Sequence, residues 1–470
     1  MHGLDDFKSS SSGHGTPGGW YKELTRYHWF VLVVAALGWL FDTMDQQLFN
    51  LARKPAMVEL LTRGGAVMKP GDDAWYGGVT TTVFMLGWAS GGLVFGMLGD
   101  RIGRAKVMLW TILIYSVCTG LSALSVSIWD FAFYRFLTGL GVGGEFAVGV
   151  SLVAEVMPDR ARPFALGLLQ ALSAVGNITA ACINIGLGHI EGEGAFNSLS
   201  FGESPVKSWR VMFIVGTLPA LLAIFIRRKL KEPEKWQATV HDGVVEKQLG
   251  SYAELFSNPR WRKNALAGLS LAFAGVVGLW AIGFFSFDLL APVFRKKFEA
   301  QGLNPSEVTQ KIALWVGITS ILQNIGGGLG VYAYSYVTHY TGRKPAFAVA
   351  FVLAMLSTIL VYWNLDEFSE VFWMIPIMGF CQLSLFGGYA IYFPELFPTR
   401  LRSTGTSFCY NVGRFVAAVG PLTMGYLTQS VFGKYPEPMR YAGVAMSGVF
   451  LIGLLALPFA PETKGQPLPE

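Results

Sequence analysis

Glu155-Val-Met-Pro158-Asp-Arg160-Ala-Arg162 returns as Glu395-Leu-Phe-Pro398-Thr-Arg400-Leu-Arg402, 240 residues later in a chain of 470. Each copy reads acid, two apolar residues, Pro, then two Arg at alternate positions. Gly103-Arg104 likewise returns as Gly342-Arg343, 239 residues on, each time just after a long apolar run. A repeat near half the chain is too long for a solenoid and indicates a duplicated domain. Both phrases are polar islands between hydrophobic stretches, so the solvent facing those stretches decides the fold.

That solvent is lipid. Hydrophobic residues make up 52% of the chain and charged residues 14%, against roughly 25% charged in soluble domains. Apolar runs of about 20 residues, long enough to cross a bilayer core, recur throughout. Twelve candidate spans lie near 27–50, 74–98, 105–125, 130–157, 163–188, 209–228, 263–290, 310–336, 344–363, 371–393, 404–430 and 440–460. All are expected to be helices, because a spanning helix satisfies its own backbone hydrogen bonds in lipid. The expected fold class is an all-α membrane protein, with twelve transmembrane helices in two pseudo-symmetric six-helix bundles at 27–228 and 263–460. A charged linker at 229–262, broken by Pro233 and Pro259, separates them. Residues 1–26, polar and Gly/Ser-rich, read as a disordered tail, and 461–470 as a second tail. The apolar run after residue 26 is too long for a signal-peptide core and reads as a retained span.

Lys and Arg set the orientation. With the amino terminus inside, cytoplasmic segments hold 22 of the 36 and outside loops 12, while Arg135 and Arg414 fall within spans. Both termini are therefore expected in the cytoplasm, with the chain in the inner (plasma) membrane. A net charge of +5 spread over loops signals orientation, not nucleic-acid binding. Cys118, Cys182, Cys381 and Cys409 lie singly in apolar runs, which suits core packing; no metal or disulfide spacing occurs. Gly139, Gly141 and Gly144 match Gly-x-Gly-x-x-Gly, but inside an apolar run with no preceding strand they serve helix packing. No cofactor is expected.

Several motifs then point to a known family. Gly96-x3-Asp100-Arg101-x-Gly103-Arg104 resembles the loop between the second and third helices of the major facilitator superfamily. Leu137-x-Gly139 through Gly143, Leu152, Glu155 and Arg162 is similar to the sugar-porter pattern on the fourth helix, and Pro461-Glu462-Thr463-Lys464-Gly465 to the phrase after that group's last helix. Tyr410-Asn411-Val412-Gly413-Arg414 looks more like the bacterial sialate/lactate and aromatic-acid proton symporters. The resemblance implies the major facilitator fold and a secondary transporter working as a monomer by alternating access, with a small-molecule substrate, protons and the lipid bilayer as its partners. It also implies a cytoplasmic gate of Asp100, Arg101, Arg104, Glu155, Arg160, Arg162, His339, Arg343, Glu395, Arg400 and Arg402, whose ion pairs join the bundles. Two positions depart from the loop motif: Ala105 occupies a place usually basic, and His339 stands where the second copy's acid would be.

Charges inside spans cost about 2.5 kcal/mol or more at the bilayer centre, so each needs a partner or a job. Asp42, Asp45, Arg135, Glu145, Asp288 and Arg414 stand out. Asp42 and Asp45 share a helix face. In proton-coupled sugar porters an Asp on the first helix pairs with an Arg at the place matching Arg135, and either Asp fits. Glu145 reads equally as a second proton site or a structural acid. Arg414, with no acid on its own helix within a turn, suits bidentate capture of a carboxylate, or pairing with an acid such as Glu145.

On the fifth span, Gln170 and Asn177 occupy positions similar to the sugar-contacting amides of the porters. The seventh breaks the match with Leu279, Trp280 and Phe285, and the tenth with Gly387-Gly388 and Ala390. Trp280, Phe284 and Tyr389 are candidate aromatic walls, and Asn411 accompanies Arg414 in the candidate site. A buried Arg, aromatic walls and few amides favour an organic anion over a polyol. A sugar or polyol symporter or uniporter is the alternative, and a nontransporting receptor a second. No Gly-x4-Gly-Lys-Ser/Thr loop for an ATP-driven pump and no His-Glu-x-x-His or Gly-x-Ser-x-Gly cluster for an enzyme occurs.

Overall fold

A computed structural model of the chain describes residues 20–469 apart from 64–66, 69–71, 194–195, 197, 199, 202–203, 222–229, 242–248, 284–285, 418–422 and 425. The first half comprises α1 (Arg26–Thr62), α2 (Asp72–Ile102), α3 (Arg104–Ser122), α4 (Ile128–Val156), α5 (Arg162–Gly192) and α6 (Ser208–Val215). Two short helices follow, α7 (Glu234–His241) and α8 (Tyr252–Ser257). The second half contains α9 (Pro259–Val277), α10 (Ser286–Glu299), α11 (Pro305–Thr341), α12 (Arg343–Asn364), α13 (Val371–Glu395), α14 (Arg402–Ala417), α15 (Pro438–Ser447) and α16 (Val449–Ala456). The described strands form one short ladder, Ser200–Phe201 (β1) against Ser204–Pro205 (β2).

Ten of the described helical segments are long and apolar enough to cross a membrane. The protein is a multi-pass membrane protein. The expected spans at 209–228 and 404–430 run into residues outside the described set; α6 and α14 are the described helices at their starts, and a π-type turn at Leu427–Val431 lies at the end of the second. The expected seventh span is not one continuous α-helix: α9 gives way to a wider π-type turn over Gly278–Gly283 before α10.

Close helix contact explains the glycines. A Cβ at Gly143 of α4 would overlap the Trp88 carbonyl oxygen of α2, and Gly87 and Gly91 meet the Phe136 and Leu140 carbonyls in return. The duplicated half repeats the arrangement, with Gly326 and Gly330 of α11 against Pro376 and Phe380 of α13. Small residues let these backbones touch where lipid gives no hydrophobic drive for association. The halves then meet along two equivalent seams, α2 on α14 and α5 on α11.

Three expectations need correction. The segment read as a disordered tail includes a helical turn at Trp20–Glu23; Trp20 stacks on Phe164 with ring centroids 5.7 Å apart, and Glu23 pairs with Arg160 at 3.0 Å. Residues 1–19 lie outside the described set. The linker is not merely a tether either. Trp236 donates to the Asp100 carbonyl (2.8 Å), Tyr252 to the Leu93 carbonyl (2.8 Å) and the Gly250 N–H to the Arg400 carbonyl (2.9 Å), so α7 and α8 close over the ends of both halves. Cys182 is exposed, unlike the other three cysteines; its side of α5 faces outward.

Candidate functional site

A central cavity opens between the halves. Its wall combines Trp39, Thr43, Gln46, Gln47 and Asn50 of α1 and Trp88 of α2 with Gln170, Ser173 and Asn177 of α5. From the second half come Leu279, Trp280, Gly283, Ser320, Gln323, Asn324, Leu383, Phe386, Tyr410 and Arg414. About 100 Å³ is free, below the roughly 300 Å³ at which ligand pockets usually begin, so the two halves stand close to occluded.

Arg414 is the charge in that wall. Its guanidinium carbon lies 4.0 Å from the Trp88 ring centroid and 4.1 Å from that of Tyr410. One Nη donates to Asn411 Oδ1 at 2.7 Å, while Nε is buried with no hydrogen-bond partner. Among the described residues no carboxylate lies within ion-pair distance, so the alternative pairing with Glu145 is not formed. Asn411 does not line the cavity. Its amide donates to the Ser407 carbonyl (3.1 Å), which turns its oxygen to the guanidinium, so it positions Arg414.

The wall is richer in amides than the sequence led us to expect. Gln46, Gln47 and Asn50 on α1 and Gln323 and Asn324 on α11 join Gln170 and Asn177, and Asn177 donates to Asn324 Oδ1 across the seam (2.8 Å). These positions fall one turn or less apart on helices whose rotation the apolar pattern did not define, which is why they were missed. Tyr389 belongs elsewhere: fully buried, it donates to the Leu271 carbonyl (2.6 Å) and stacks on Phe393 in the second half's core. Trp280 reaches the cavity, edge-on to Trp88 at 5.9 Å. Phe284 and the side chain of Asp288 lie outside the described set.

The structure separates the two acids of α1. Asp45 pairs with Arg135 (3.5 Å) and accepts from Thr119 (2.7 Å), while Arg135 also donates to Ser122 (3.0 Å) and Thr138 (3.0 Å) and lies over the Phe213 ring. That pair is sealed inside the first half and fully hydrogen-bonded. Asp42, on the preceding turn, has neither carboxylate oxygen hydrogen-bonded, and Glu145 is in the same condition. Glu145 lies against Gly38, one turn from Asp42, where a Cβ would overlap its carboxylate. The charged neighbours of Asp42 are Glu145, Asp45 and Arg414.

At the linker end the halves are joined, but unequally. Glu155 takes Arg104 from its own half (2.9 Å) and Arg402 from the other (2.8 Å). Asp100 pairs with Arg104 and accepts from the Ser403 and Thr404 N–H groups and the Thr404 hydroxyl (3.1, 2.8 and 2.6 Å), capping α14 across the seam. In the second copy Glu395 pairs with Arg343 (2.7 Å) but takes Thr463 (2.6 Å) instead of Arg162. Arg162 is held by Asp159, an acid where the other copy has Thr399. His339 caps nothing; its ring packs on Phe164 (5.0 Å), which stands at the place of Thr404. Arg400 pairs with Glu254 of α8 (2.8 Å), and Arg101 donates to the Leu249 carbonyl (3.0 Å). Among the described residues, ion pairs thus cross between the halves at the Glu155 copy and not at the Glu395 copy, where His339 already departs from the motif.

Residues 31–254 match the family described as "Sugar (and other) transporter". The fold is shared with the proton:xylose symporter XylE, at a TM-score of 0.70 over 94% of this chain and 98% of that one, with 15% identity. A Haemophilus influenzae protein assigned to metabolite transport is 29% identical over 95% of this chain and 99% of its own. In sequence and in fold the chain is similar to transporters of the major facilitator superfamily. The sialic acid transporter NanX of Escherichia coli is 26% identical to this chain, over 87% of it and 89% of its own length.

Proposed function

We propose that this transporter carries a small organic anion, a monocarboxylate bearing hydroxyls or an aromatic ring, together with a proton. One observation supports the reading above others: Arg414 reaches the central cavity flanked by two aromatic rings, with no carboxylate partner among the described residues. A guanidinium so placed suits a planar carboxylate, and a buried charge left unpaired in the membrane needs a cargo to justify it. The seven amides around it supply donors and acceptors for hydroxyl groups. The relation to NanX, whose cargo is a hydroxylated acid by name, agrees with this.

Proton carriage falls to Asp42 and Glu145, two buried carboxylates with no donor of their own, the first of them a charged neighbour of the cavity arginine. A proton neutralises one of them when the cargo's carboxylate takes up the arginine, and leaves when the cargo does. Asp45 and Arg135 hold the fold of the first half. The protein works as a monomer in the plasma membrane, its two halves, 27–228 and 263–460, rocking about the cavity in alternating access, with the linker and both termini in the cytoplasm. Glu155, Arg402, Arg104 and Asp100 then form the cytoplasmic gate, and their mutual ion pairs support its closed state.

The test is counterflow in proteoliposomes with a labelled sugar acid, an aromatic acid and a neutral hexose in parallel, under an imposed pH gradient. The acids exchange and the hexose does not. Arg414→Ala loses acid binding by about 30-fold or more, the cost of removing one partner of a buried charge pair. The amides favour a second reading, a neutral sugar; hexose exchange that survives Arg414→Ala would establish it and remove the first.

A further inference from the structure

A second binding region lies away from the cavity, on the outer face of the second half at its linker end. Here α9 starts beside the end of α16. A cavity of about 680 Å³, of mixed polar and apolar lining, is walled by Arg260, Lys263, Asn264, Phe459 and the terminal segment from Pro461 to Pro469. Beside it runs an apolar groove of about 530 Å³, lined by Leu266, Ile452, Leu455 and Phe459 with Arg262 at its mouth. The two share Lys263 and Phe459. Leu455 and Phe459 are 72% and 63% exposed, so the groove opens to the surroundings of the helices and not to the protein core.

Among the described residues, the charges left unpaired here are positive. Arg260, Arg262 and Lys263 are exposed, and among the described residues none has a carboxylate within ion-pair distance. The acid in the cavity wall, Glu395, is committed to Arg343 and Thr463. Interfacial cations alone are ordinary in membrane proteins. What sets these apart is that they border a cavity continuous with a lipid-facing apolar groove. A compartment with cations in its wall, joined to an apolar channel, has the shape of an amphiphile with an anionic head.

We propose that this is a binding site for an anionic phospholipid, its phosphodiester head held by Arg260, Arg262 and Lys263 and an acyl chain lying in the α9–α16 groove. The site reaches the gate through the terminal segment that walls it. Arg402, which closes the halves on Glu155, also donates to the Pro469 carbonyl at 3.0 Å, and Tyr392 donates to the Pro461 carbonyl at 2.6 Å. An occupied site braces that segment against Arg402 and favours the state closed at the linker end.

The experiment uses the full chain purified in detergent, with native mass spectrometry and thermal melting in the presence of phosphatidylglycerol, phosphatidylcholine or inorganic phosphate. Phosphatidylglycerol is retained and raises the melting temperature; phosphatidylcholine is not retained, and phosphate neither protects nor displaces the lipid. Arg260→Gln/Lys263→Gln weakens retention about fivefold per charge removed, while Lys296→Gln/Lys297→Gln at the other end of the bundle leaves it unchanged. Should the double variant fail to melt cooperatively, Lys263→Gln alone carries the same comparison. Equal retention by variant and parent, equal retention of the two lipids, or displacement by phosphate alone would each overturn the assignment.

Discussion

Asp42 and Asp45 stand three residues apart on α1, yet their surroundings assign them different work. Asp45 is matched by Arg135 and Thr119 inside the first half, so its loss leaves a buried guanidinium uncompensated. Asp45→Asn is expected to destabilise the protein by about 3–5 kcal/mol, read as a drop in the melting temperature of the purified chain. Asp42 lacks such partners. Asp42→Asn is expected to melt near the parent temperature and to keep cargo exchange while losing uphill accumulation under a pH gradient. Accumulation at the parent level by Asp42→Asn would remove the proton role given to this residue.

Helix ends and helix crossings carry the next level of organisation. Both helices that follow the repeated Gly-Arg phrase start after a glycine at positive φ, 119° at Gly103 and 98° at Gly342. Each first turn is then capped by a distant glutamate. Glu232 accepts from the Ala105 and Lys106 N–H groups (both 3.1 Å), and Glu462 from those of Arg343 and Lys344 (2.9 and 3.0 Å). Partial burial works against charge on Glu462, but the N–H groups of Arg343, Lys344 and Lys464 outweigh it and hold its carboxyl below the usual glutamate range. Its folded value is depressed, so its stabilising contribution is complete above about pH 4.5 and is lost as pH falls through the lowered value. The melting temperature of the parent should therefore fall towards that of Glu462→Gln on acidification, and a constant gap between them would contradict the cap's ionic character. At the crossing of α2 and α4, Gly143→Ala places a methyl against the Trp88 carbonyl. Forced apart, the helices lose about 1–3 kcal/mol, measurable by the same melts; an unchanged melting temperature would mean the two backbones are free to separate.

For the whole molecule, the unequal gate makes a directional prediction. Arg402 and Glu155 bridge the halves, whereas the equivalent Arg162 is captured by Asp159 and Arg343 stays within its own half. Spin labels placed across the linker end should report a longer distance in Arg402→Gln than in the parent, and little change in Arg162→Gln. Equal opening in both variants would restore a symmetric latch.

Span lengths, the duplication and the candidate charges were legible in the chain itself, because lipid tolerates only long apolar helices and makes every charge within them conspicuous. The Arg414 assignment began there, from a cation with no acid on its own helix within a turn. What the chain order could not supply was rotation: which of Asp42 and Asp45 meets Arg135, that Tyr389 turns into the second half's core, and that amides from α1, α5 and α11 converge on one wall. Those outcomes depend on how helices distant in sequence seat against one another through glycine contacts and seams between the halves. The bilayer determines that these segments cross it; only their packing decides which face of each one looks inward.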